Sequence, residues 1–390
     1  MMPPPDKNTS VFLDSHIDRS TWKRVRLSDL FTFGNGYTPS KAEPVYWGNG
    51  TIPWFRMEDI RANGHILKDS IQHISQKAVN GRGLFPAGSY ILSTTATLGE
   101  YALLIADSLA NQRFTFLVKK VNRADDIDEI FFLHQLAAIG DWCRKSANAG
   151  GLLAVNMIDL KNYEFSLPPA KDQRHIARSL SSIETHISAL QALIAKYEAI
   201  KKAPVNLLLE PKAGWKRMKL DEICMCLDNY RKPVNEVERA GMQGDIPYCG
   251  ANGIVDYVND FTIDDSIILI AEDGGYFDQY ESRPIAYRMS GKAWINNHAH
   301  ILKAKSDYCQ AFIFYSLEHK DITPFITSGT RAKLTKGELS NIEIDTPSSF
   351  QEQRKIAEQI TAIDNVLADY KAQLEKARQL KAGMMSYFFG

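Results

Sequence analysis

The chain has 390 residues, 44% of them hydrophobic, and its 46 basic side chains balance 46 acidic ones. This length allows two to four domains with separate cores, and the composition is typical of a folded protein. No apolar stretch approaches the roughly 20 residues that cross a bilayer, and the first residues lack the pattern of a secretory signal. Five scattered cysteines do not form a disulfide framework. We therefore expect a cytoplasmic protein without membrane partners.

The chain contains an internal repeat. WKRVRLSDL at 22–30 returns as WKRMKLDEI at 215–223, and KDQRHIARSLSSI at 171–183 returns as QEQRKIAEQITAI at 351–363, 180 residues later. The ends of the two units are alike, whereas their centres barely resemble each other. Because a repeat of this length is too long for a solenoid, the pattern predicts a pseudo-dimer in which one scaffold presents two different surfaces.

The predicted elements divide the chain into five parts. In the first unit we expect strands at 88–93 and 114–120 and a helix at 127–140. In the second we expect strands near 267–271 and 300–304 and a helix near 309–319. Each unit is therefore predicted to be an α+β domain. The predicted parts are an N-terminal arm (1–21), the first unit (22–170), a helix and linker (171–212), the second unit (213–346) and a C-terminal helix (347–390).

The segment after each unit carries an apolar seam with alternating steps of four and three residues, sustained for about three heptads. The seam residues are Ile176, Leu180, Ile183, Ile187, Leu190 and Ile194, and Ile356, Ile360, Ile363, Leu367, Tyr370 and Leu374. A narrow apolar stripe needs a partner, and the simplest partner is the other helix, in an antiparallel intrachain coiled coil. The alternative is that each helix packs on its own unit.

These features resemble the DNA-specificity subunits of type I restriction–modification systems. GNGYTPSKAEPVYWGNGTIPWFRMEDI at 34–60 is similar to the family's G-x-T-P-S segment followed by Y-W and I-P-W. GDIPYCGANGIVDYVNDF at 244–261, followed by AEDGG, resembles a variant of it. LPPAKDQRHIA at 167–177 and TPSSFQEQRKIA at 346–357 resemble the start of the family's long helices, with Asp172 where Glu is usual.

The resemblance implies that 22–170 and 213–346 are target recognition domains, each contacting one half of a split, asymmetric sequence in double-stranded DNA. It also implies that the coiled coil sets the spacing and docks two methyltransferase subunits, which recruit motor nuclease subunits. S-adenosylmethionine, ATP and magnesium would then belong to those partners, with no cofactor on this chain.

The charges of the two units indicate that a DNA complex needs such partners. Residues 22–170 contain 16 basic and 14 acidic side chains, a net charge of +2, and residues 215–346 contain 15 and 20, a net charge of −5. Since phosphate contacts supply much of the affinity for DNA, partner subunits must contribute many of them.

Base recognition needs side chains with paired donors and acceptors on segments that reach a groove. In the first unit such side chains lie in 34–41, 93–99, 111–113 and 146–154. The candidate DNA contacts are Tyr37, Thr38, Ser40, Lys41, Thr94, Thr95, Asn111, Gln112, Arg113 and Asn148. The alternatives are that the first loop is a turn that packs Pro39 and that Asn111 stabilises a turn.

The second unit offers more charged side chains at the matching positions. The candidates are Tyr230, Arg231, Lys232, Glu272, Asp273, Asn297, His298, Thr330, Arg331 and Lys333. Arg331 and Lys333 rank first, because a glycine-flanked basic loop has few structural roles. For Glu272 and Asp273 the alternative is a surface turn.

No motif for chemistry is evident. An amino-methyltransferase would need an N/D-P-P-aromatic tetrapeptide and a glycine-rich cofactor loop, and neither fits. Cys224 and Cys226 favour a strand over a zinc site, and His298 and His300 have no evident third ligand. We therefore expect a non-catalytic subunit. The alternatives are a coiled-coil scaffold that binds protein rather than DNA, and an enzyme with an unrecognised site.

Overall fold

The computed structural model describes residues 17–81, 83–146, 153–327 and 332–390. Internal contacts divide the chain into two units, which are described separately. The first comprises residues 17–191 and Ala372–Gly390, and the second is Ala192–Lys371.

The first unit is built around a five-stranded sheet in the order β2-β9-β6-β7-β4. A three-stranded sheet has the order β5-β3-β8, and β1 pairs antiparallel with β10. The strands are β1 (Lys23–Arg26), β2 (Phe31–Asn35), β3 (Ile52–Phe55), β4 (Ile66–Leu67), β5 (His73–Ile74), β6 (Tyr90–Ser93), β7 (Tyr101–Leu104), β8 (Leu109–Ala110), β9 (Phe114–Lys119) and β10 (Glu164–Leu167). The helices are α1 (Leu27–Leu30), α2 (Pro44–Trp47), α3 (Met57–Asn63), α4 (Glu129–Ser146), α5 (Met157–Lys161) and the long α6 (Ala170–Leu209).

The second unit has two four-stranded sheets, in the orders β12-β19-β16-β17 and β14-β13-β18-β15, and a closing pair β11-β20. The strands are β11 (Lys216–Lys219), β12 (Cys224–Cys226), β13 (Gln243–Gly250), β14 (Gly253–Val258), β15 (Ile263–Asp264), β16 (Ile267–Ala271), β17 (Ala286–Met289), β18 (Lys292–Ile295), β19 (Ala299–Ala304) and β20 (Glu343–Thr346). The helices are α7 (Leu220–Ile223), α8 (Glu236–Ala240), α9 (Gln310–Glu318), α10 (Lys336–Asn341) and α11 (Phe350–Phe389).

Both units follow the same plan. The order β2-β9-β6-β7 matches β12-β19-β16-β17, and the parallel pair β3-β8 matches β13-β18. The predicted α+β class with an internal repeat is confirmed. The helix predicted at 127–140 begins at Glu129, where the Asp128 carboxylate accepts from the N–H groups of Ile130 and Phe131. It is longer than predicted because it continues to Ser146.

Apolar side chains fill both faces of the central strands. Every residue of β6 and β16 is buried. On one face, Tyr90 and Leu92 pack with the α4 residues Phe131 and Phe132, while Ile91 on the other face belongs to a separate apolar cluster. A strand covered on both faces is apolar throughout rather than alternating, which is why these strands were evident in the sequence.

A buried glutamine fixes the start of each long helix to its own unit. The Gln173 amide donates to the carbonyls of Asp126 and Pro168 and accepts from the Asp128 N–H. In the second unit Gln353 donates to Pro347 and accepts from the Cys309 N–H. This repeated anchor is the physical reason for the repeated Q-R string.

The seam residues of the long helices pack in two ways, against their own unit near the start of each helix and against the other long helix further along. Eight seam residues are buried: Ile176, Leu180, Leu190, Ile194, Ile356, Ile360, Leu367 and Leu374. The remaining four, Ile183, Ile187, Ile363 and Tyr370, are half-buried. Ile176 and Leu180 join the core of the first unit, and Ile356 and Ile360 join that of the second, so the first turns pack on their own units as the alternative supposed.

Further along, the two helices pair with each other, and in the second unit their direction is antiparallel. Tyr197 contacts Tyr370 with ring centroids 5.5 Å apart, Glu198 pairs with Lys371, and Lys201 pairs with Asp364. From the Tyr197–Tyr370 contact to the Lys201–Asp364 pair, the residue number rises on α6 and falls on α11. Among the described residues, no helix is long and apolar enough to cross a bilayer.

One acid–lysine ion pair occurs in both units, and we call it the helix clasp. In the first unit Glu184 of α6 lies 2.7 Å from Lys381 of α11. In the second, Asp364 of α11 lies 2.6 Å from Lys201 of α6. Both members are displaced by 180 residues from their counterparts. A third side chain from α4 or α9 completes each clasp: His134 lies 3.7 Å from Glu184, and the Tyr315 hydroxyl donates to Asp364.

Candidate nucleic-acid interface

Four loop segments meet at one edge of the main sheet in the first unit. β9 is antiparallel to β2 and β6 and lies between them, so the ends of β2 and β6 lie beside the beginning of β9. We call this place the loop edge of the first unit, residues 36–41, 94–96, 111–113 and 153–155. The Thr94 N–H donates to the Arg113 carbonyl, and the Val155 N–H donates to the Thr94 carbonyl.

Several predicted side chains of the first unit hold this edge together. The Thr38 hydroxyl donates to the Gln112 amide oxygen, and Thr94, which is buried, shares a hydrogen bond with Thr115. The Asn111 carboxamide accepts from the Arg113 N–H, as expected for a turn. The Tyr37 hydroxyl donates to the Ala78 carbonyl and accepts from the Asn80 N–H.

The remaining predicted residues of the first unit differ in exposure. Ser40, Lys41, Gln112 and Arg113 are exposed, while Thr95 is half-buried. These four exposed side chains combine hydroxyl, ammonium, amide and guanidinium groups, a donor-rich set suited to base edges and phosphates. Asn148 lies outside the described residues.

The second unit has an equivalent loop edge, residues 227–232, 272–274, 296–298 and 332–334. β19 runs antiparallel between β12 and β16, which places the ends of these two strands beside its beginning. The Glu272 N–H donates to the His298 carbonyl, and the Leu334 N–H donates to the Glu272 carbonyl. The segments that correspond between the two units in sequence thus occupy corresponding positions in the fold.

A buried ionic cluster supports this second edge. Asp228 accepts from His300 Nδ1 at 2.7 Å, from the Ile301 N–H at 3.0 Å, and pairs with Arg231 at 3.2 Å. Arg231 also donates to Glu272, which pairs with Lys333 at 2.7 Å. Lys333 ranked first with Arg331 as a candidate DNA contact because no structural role was evident for it. The structure gives it an internal ion-pair partner, Glu272, although the Lys333 side chain is 47% exposed.

The surroundings of His300 favour a buried imidazolium. Its Nδ1 faces the Asp228 carboxylate and its Nε2 lies 2.8 Å from the Leu334 carbonyl, which can only accept,. Burial lowers the pKa of His300, but the hydrogen bonds with Asp228, Cys226 and Leu334 outweigh burial and raise the pKa to about 9. Burial raises the pKa of Asp228, but hydrogen bonds from His300 and the Ile301 N–H lower it below its ordinary value.

Cys226, Asp228 and His300 form a group whose ligand atoms lie within 4.8 Å of one another. A histidine binds a metal through an unprotonated ring nitrogen. Because both nitrogens of His300 face oxygen acceptors, the arrangement fits an ionic cluster better than a metal site.

The raised pKa of His300 predicts how the stability of the folded chain depends on pH. The folded pKa of about 9 exceeds the ordinary 6.5, so the stabilisation is complete below pH 6.5 and is lost as the pH rises through 9,. We expect His300→Gln to remove a stabilisation on the order of 2–3 kcal/mol at pH 6, and much less at pH 9.5. Calorimetric melting of the full chain at both pH values measures this difference. His186→Gln, at an exposed position on α6, is the control. An equal loss from His300→Gln at both pH values would contradict the prediction.

The other predicted residues of the second unit lie at the surface of its loop edge. Tyr230, Lys232 and Asn297 are exposed, and Lys232 Nζ lies 5.1 Å from the centre of the Trp294 ring. His298 is half-buried, with Nδ1 2.8 Å from Asp273. Thr330 and Arg331 lie outside the described residues.

Two further asparagines lie at this edge, and sequence reasoning missed the first of them. Asn252 lies in the turn between β13 and β14, and its amide donates to the Gly274 carbonyl. Asn296 is buried, and its side-chain oxygen accepts from the His298 N–H. The G-A-N-G string was a signal for Asn252, but only the fold brings it to the segment 272–274.

Comparison with known proteins identifies the family. The profile of the type I restriction modification DNA specificity domain matches residues 19–199 and again 212–377. The chain is 31% identical over 352 residues to the specificity subunit of the type I restriction enzyme EcoprrI from Escherichia coli, covering 86% of each chain. It is 38% identical over 160 residues, 40% of each chain, to a putative type I restriction enzyme specificity subunit from Haemophilus influenzae.

The fold agrees with this assignment. The crystal structure of the S subunit of a type I restriction–modification system from M. genitalium superposes with a TM-score of 0.64 at 17% identity, covering 97% of this chain and 98% of that one. The two profile matches span most of the sequence, and the chain therefore belongs to the type I restriction modification DNA specificity domain family.

Proposed function

We propose that this chain is the DNA-recognition subunit of a type I restriction–modification complex. Each unit would bind one half of a bipartite target in double-stranded DNA through its loop edge. The observation that carries the proposal is the repetition of the loop edge on one scaffold with different exposed side chains. The exposed side chains of the first loop edge are Ser40, Lys41, Gln112 and Arg113. The corresponding exposed side chains of the second loop edge are Tyr230, Lys232, Asn297 and Lys333. Two different sets of donors and acceptors imply two different half-sites, so the target is asymmetric.

The charges and the long helices support an assembly with partner subunits. Net charges of +2 on 22–170 and −5 on 215–346 leave much of the phosphate affinity to partners,. Exposed apolar side chains on the long helices, such as Ile200, Leu207 and Val366, offer surface for docking,. In this proposal the helices set the spacing of the half-sites and dock two methyltransferase subunits, which recruit the motor nuclease subunits.

The chemistry would belong to those partners. The exposed side chains of the two loop edges are hydrogen-bonding groups suited to DNA, and the buried cluster around His300 is satisfied by internal ion pairs. We therefore assign S-adenosylmethionine, ATP and magnesium to the partner subunits and a non-catalytic role to this chain.

Substitutions in the two loop edges test the proposal. In complex with its methyltransferase partner, Arg113→Ala should weaken recognition of one half-site and Asn297→Ala that of the other, each by about 1–3 kcal/mol at one base pair. Competition binding with duplexes altered at single positions measures the effect, and mapping of genomic methylation locates it. Arg123→Ala is the control, because Arg123 follows the opposite end of β9.

The outcomes separate DNA recognition from a scaffold that binds only protein. Weaker recognition of a different half-site by each variant, with unchanged recognition by the Arg123→Ala control, supports the proposal. A wild-type complex without sequence-selective binding, or the same positions affected by both variants, would contradict it.

A further inference from the structure

The second unit has an open recess of about 480 Å³ beside its loop edge. Its walls come from the turn between β13 and β14, from the segment after β16, and from the turn before β19. Polar lining is provided by Asn252, Asp273, Asn296 and His298, and apolar lining by Ile254 and Val255. The recess thus adds a β-hairpin to the segments of the loop edge. The major groove of DNA admits a two-stranded β-ribbon.

The hairpin turn is held firmly against the rest of the unit. The Tyr287 hydroxyl donates to the Gly250 carbonyl, and Asn252 Nδ2 donates to the Gly274 carbonyl at 2.9 Å. A Cβ at Gly250 would lie only 2.7 Å from Val255 Cγ2, so the absence of a side chain there lets Val255 fold over the turn. A group fixed in this way loses little conformational entropy when it binds a partner.

The bond to Gly274 also fixes the orientation of the Asn252 amide. Because a carbonyl only accepts, the nitrogen end of the amide must face Gly274,. One N–H is used there, and the second N–H and the oxygen remain available on an exposed residue. A donor and an acceptor side by side are what an asparagine uses to contact N7 and N6 of adenine.

An apolar group beside this amide matches the other base of the pair. Val255 is 61% exposed and lines the same recess. Across the major groove an A·T pair presents the adenine N7 and N6 atoms, then the thymine O4 atom and the thymine methyl group, which side chains recognise by apolar contact. The arrangement therefore suits an A·T pair better than a G·C pair, whose guanine presents two acceptors.

We propose that Asn252 is a specificity-determining residue that contacts the adenine of one A·T pair, with Val255 against the thymine methyl, in the half-site bound by the second unit. This inference rests on the proposed function, since it takes duplex DNA as the ligand of the loop edge.

The test uses the full chain with its methyltransferase partner. Asn252→Ala should reduce discrimination for adenine at one position of one half-site roughly ten- to hundredfold, and leave the other half-site unchanged. Asn252→Asp, which keeps the side-chain size but removes both donors, should give a similar loss. Competition binding with duplexes substituted at each position gives the ratios, and the mapped methylation motif gives the position.

Asn259→Ala is the matched control, because Asn259 is an exposed asparagine just beyond the other end of the same hairpin. A wild-type complex with a defined bipartite motif, together with an unchanged motif in both Asn252 variants, would overturn this inference while leaving the proposed function standing. Equal weakening on every sequence would also overturn it, as a phosphate contact gives no base preference. A wild-type complex without any motif would refute the proposed function itself.

Discussion

Asp228→Ala is expected to destabilise the second unit by about 3 kcal/mol, because it leaves buried cations without their shared carboxylate. Asp228 accepts from His300 and pairs with Arg231, and its own side chain is only 8% exposed. Glu272 still pairs with Arg231, which keeps the loss at the lower end of the range for a broken buried pair. Hydrogen exchange followed by mass spectrometry should show roughly hundredfold faster exchange in peptides that cover β16 and β19.

Asp265→Ala is the control for this experiment. Asp265 pairs with Lys303 in the same unit, but both side chains are about one third exposed, at 34% and 36%. Its loss should cost less than about 1 kcal/mol, since solvent screens such a pair. Equal effects of the two substitutions would show that the Asp228 cluster contributes no more than a surface ion pair.

Lengthening both long helices is expected to change the spacing of the bipartite target. Ala192 and Lys196 of α6 recur 180 residues later as Ala372 and Lys376 of α11, so four residues can be inserted at equivalent places. Four residues add about 6 Å of helix, at most about two base pairs at 3.4 Å each. Methylation mapping should show both half-sites unchanged and a longer nonspecific gap, with weaker binding because the insertion interrupts the heptad pattern.

The same four residues inserted beside Val121, which is 95% exposed and far from the helices in sequence, serve as the control. This insertion should leave the gap unaltered. Altered base preference within a half-site, with the gap unchanged, would mean that the helices shape the recognition surfaces rather than space them.

The sequence alone was sufficient to predict the features of the fold that depend on local patterns. The repeated strings around Gln173 and Gln353 predicted two copies of one scaffold, and the 4-3 spacing predicted two long helices. The strand at 267–271 was predicted at the observed bounds, because an apolar run between polar turns has few alternatives in a sheet covered on both faces,.

The candidate interface was predictable only at the level of segments. Glycine-rich and polar segments after strands indicated the loop edges, but not which side chains hold them together. Arg231 and Thr94 turn inward because their hydrogen-bond partners, Glu272 and Thr115, come from segments that are distant in sequence. Asn252 was missed for the same reason, since its significance depends on the carbonyl of Gly274.

The helix clasp explains how recognition could change during evolution without loss of the assembly. Glu184, Lys201, Asp364 and Lys381 all lie outside 22–170 and 213–346. A recombination event that replaces either of these segments therefore leaves all four charges in place. The other polar partners of the clasps would arrive with the new segment: His134 in the first unit, and Tyr315 and Glu318 in the second. They would have to suit the charged side chains already present on the long helices. Compatibility between an incoming domain and the resident helices thus depends on one or two polar side chains of α4 or α9, in addition to the shape of the apolar surface around them.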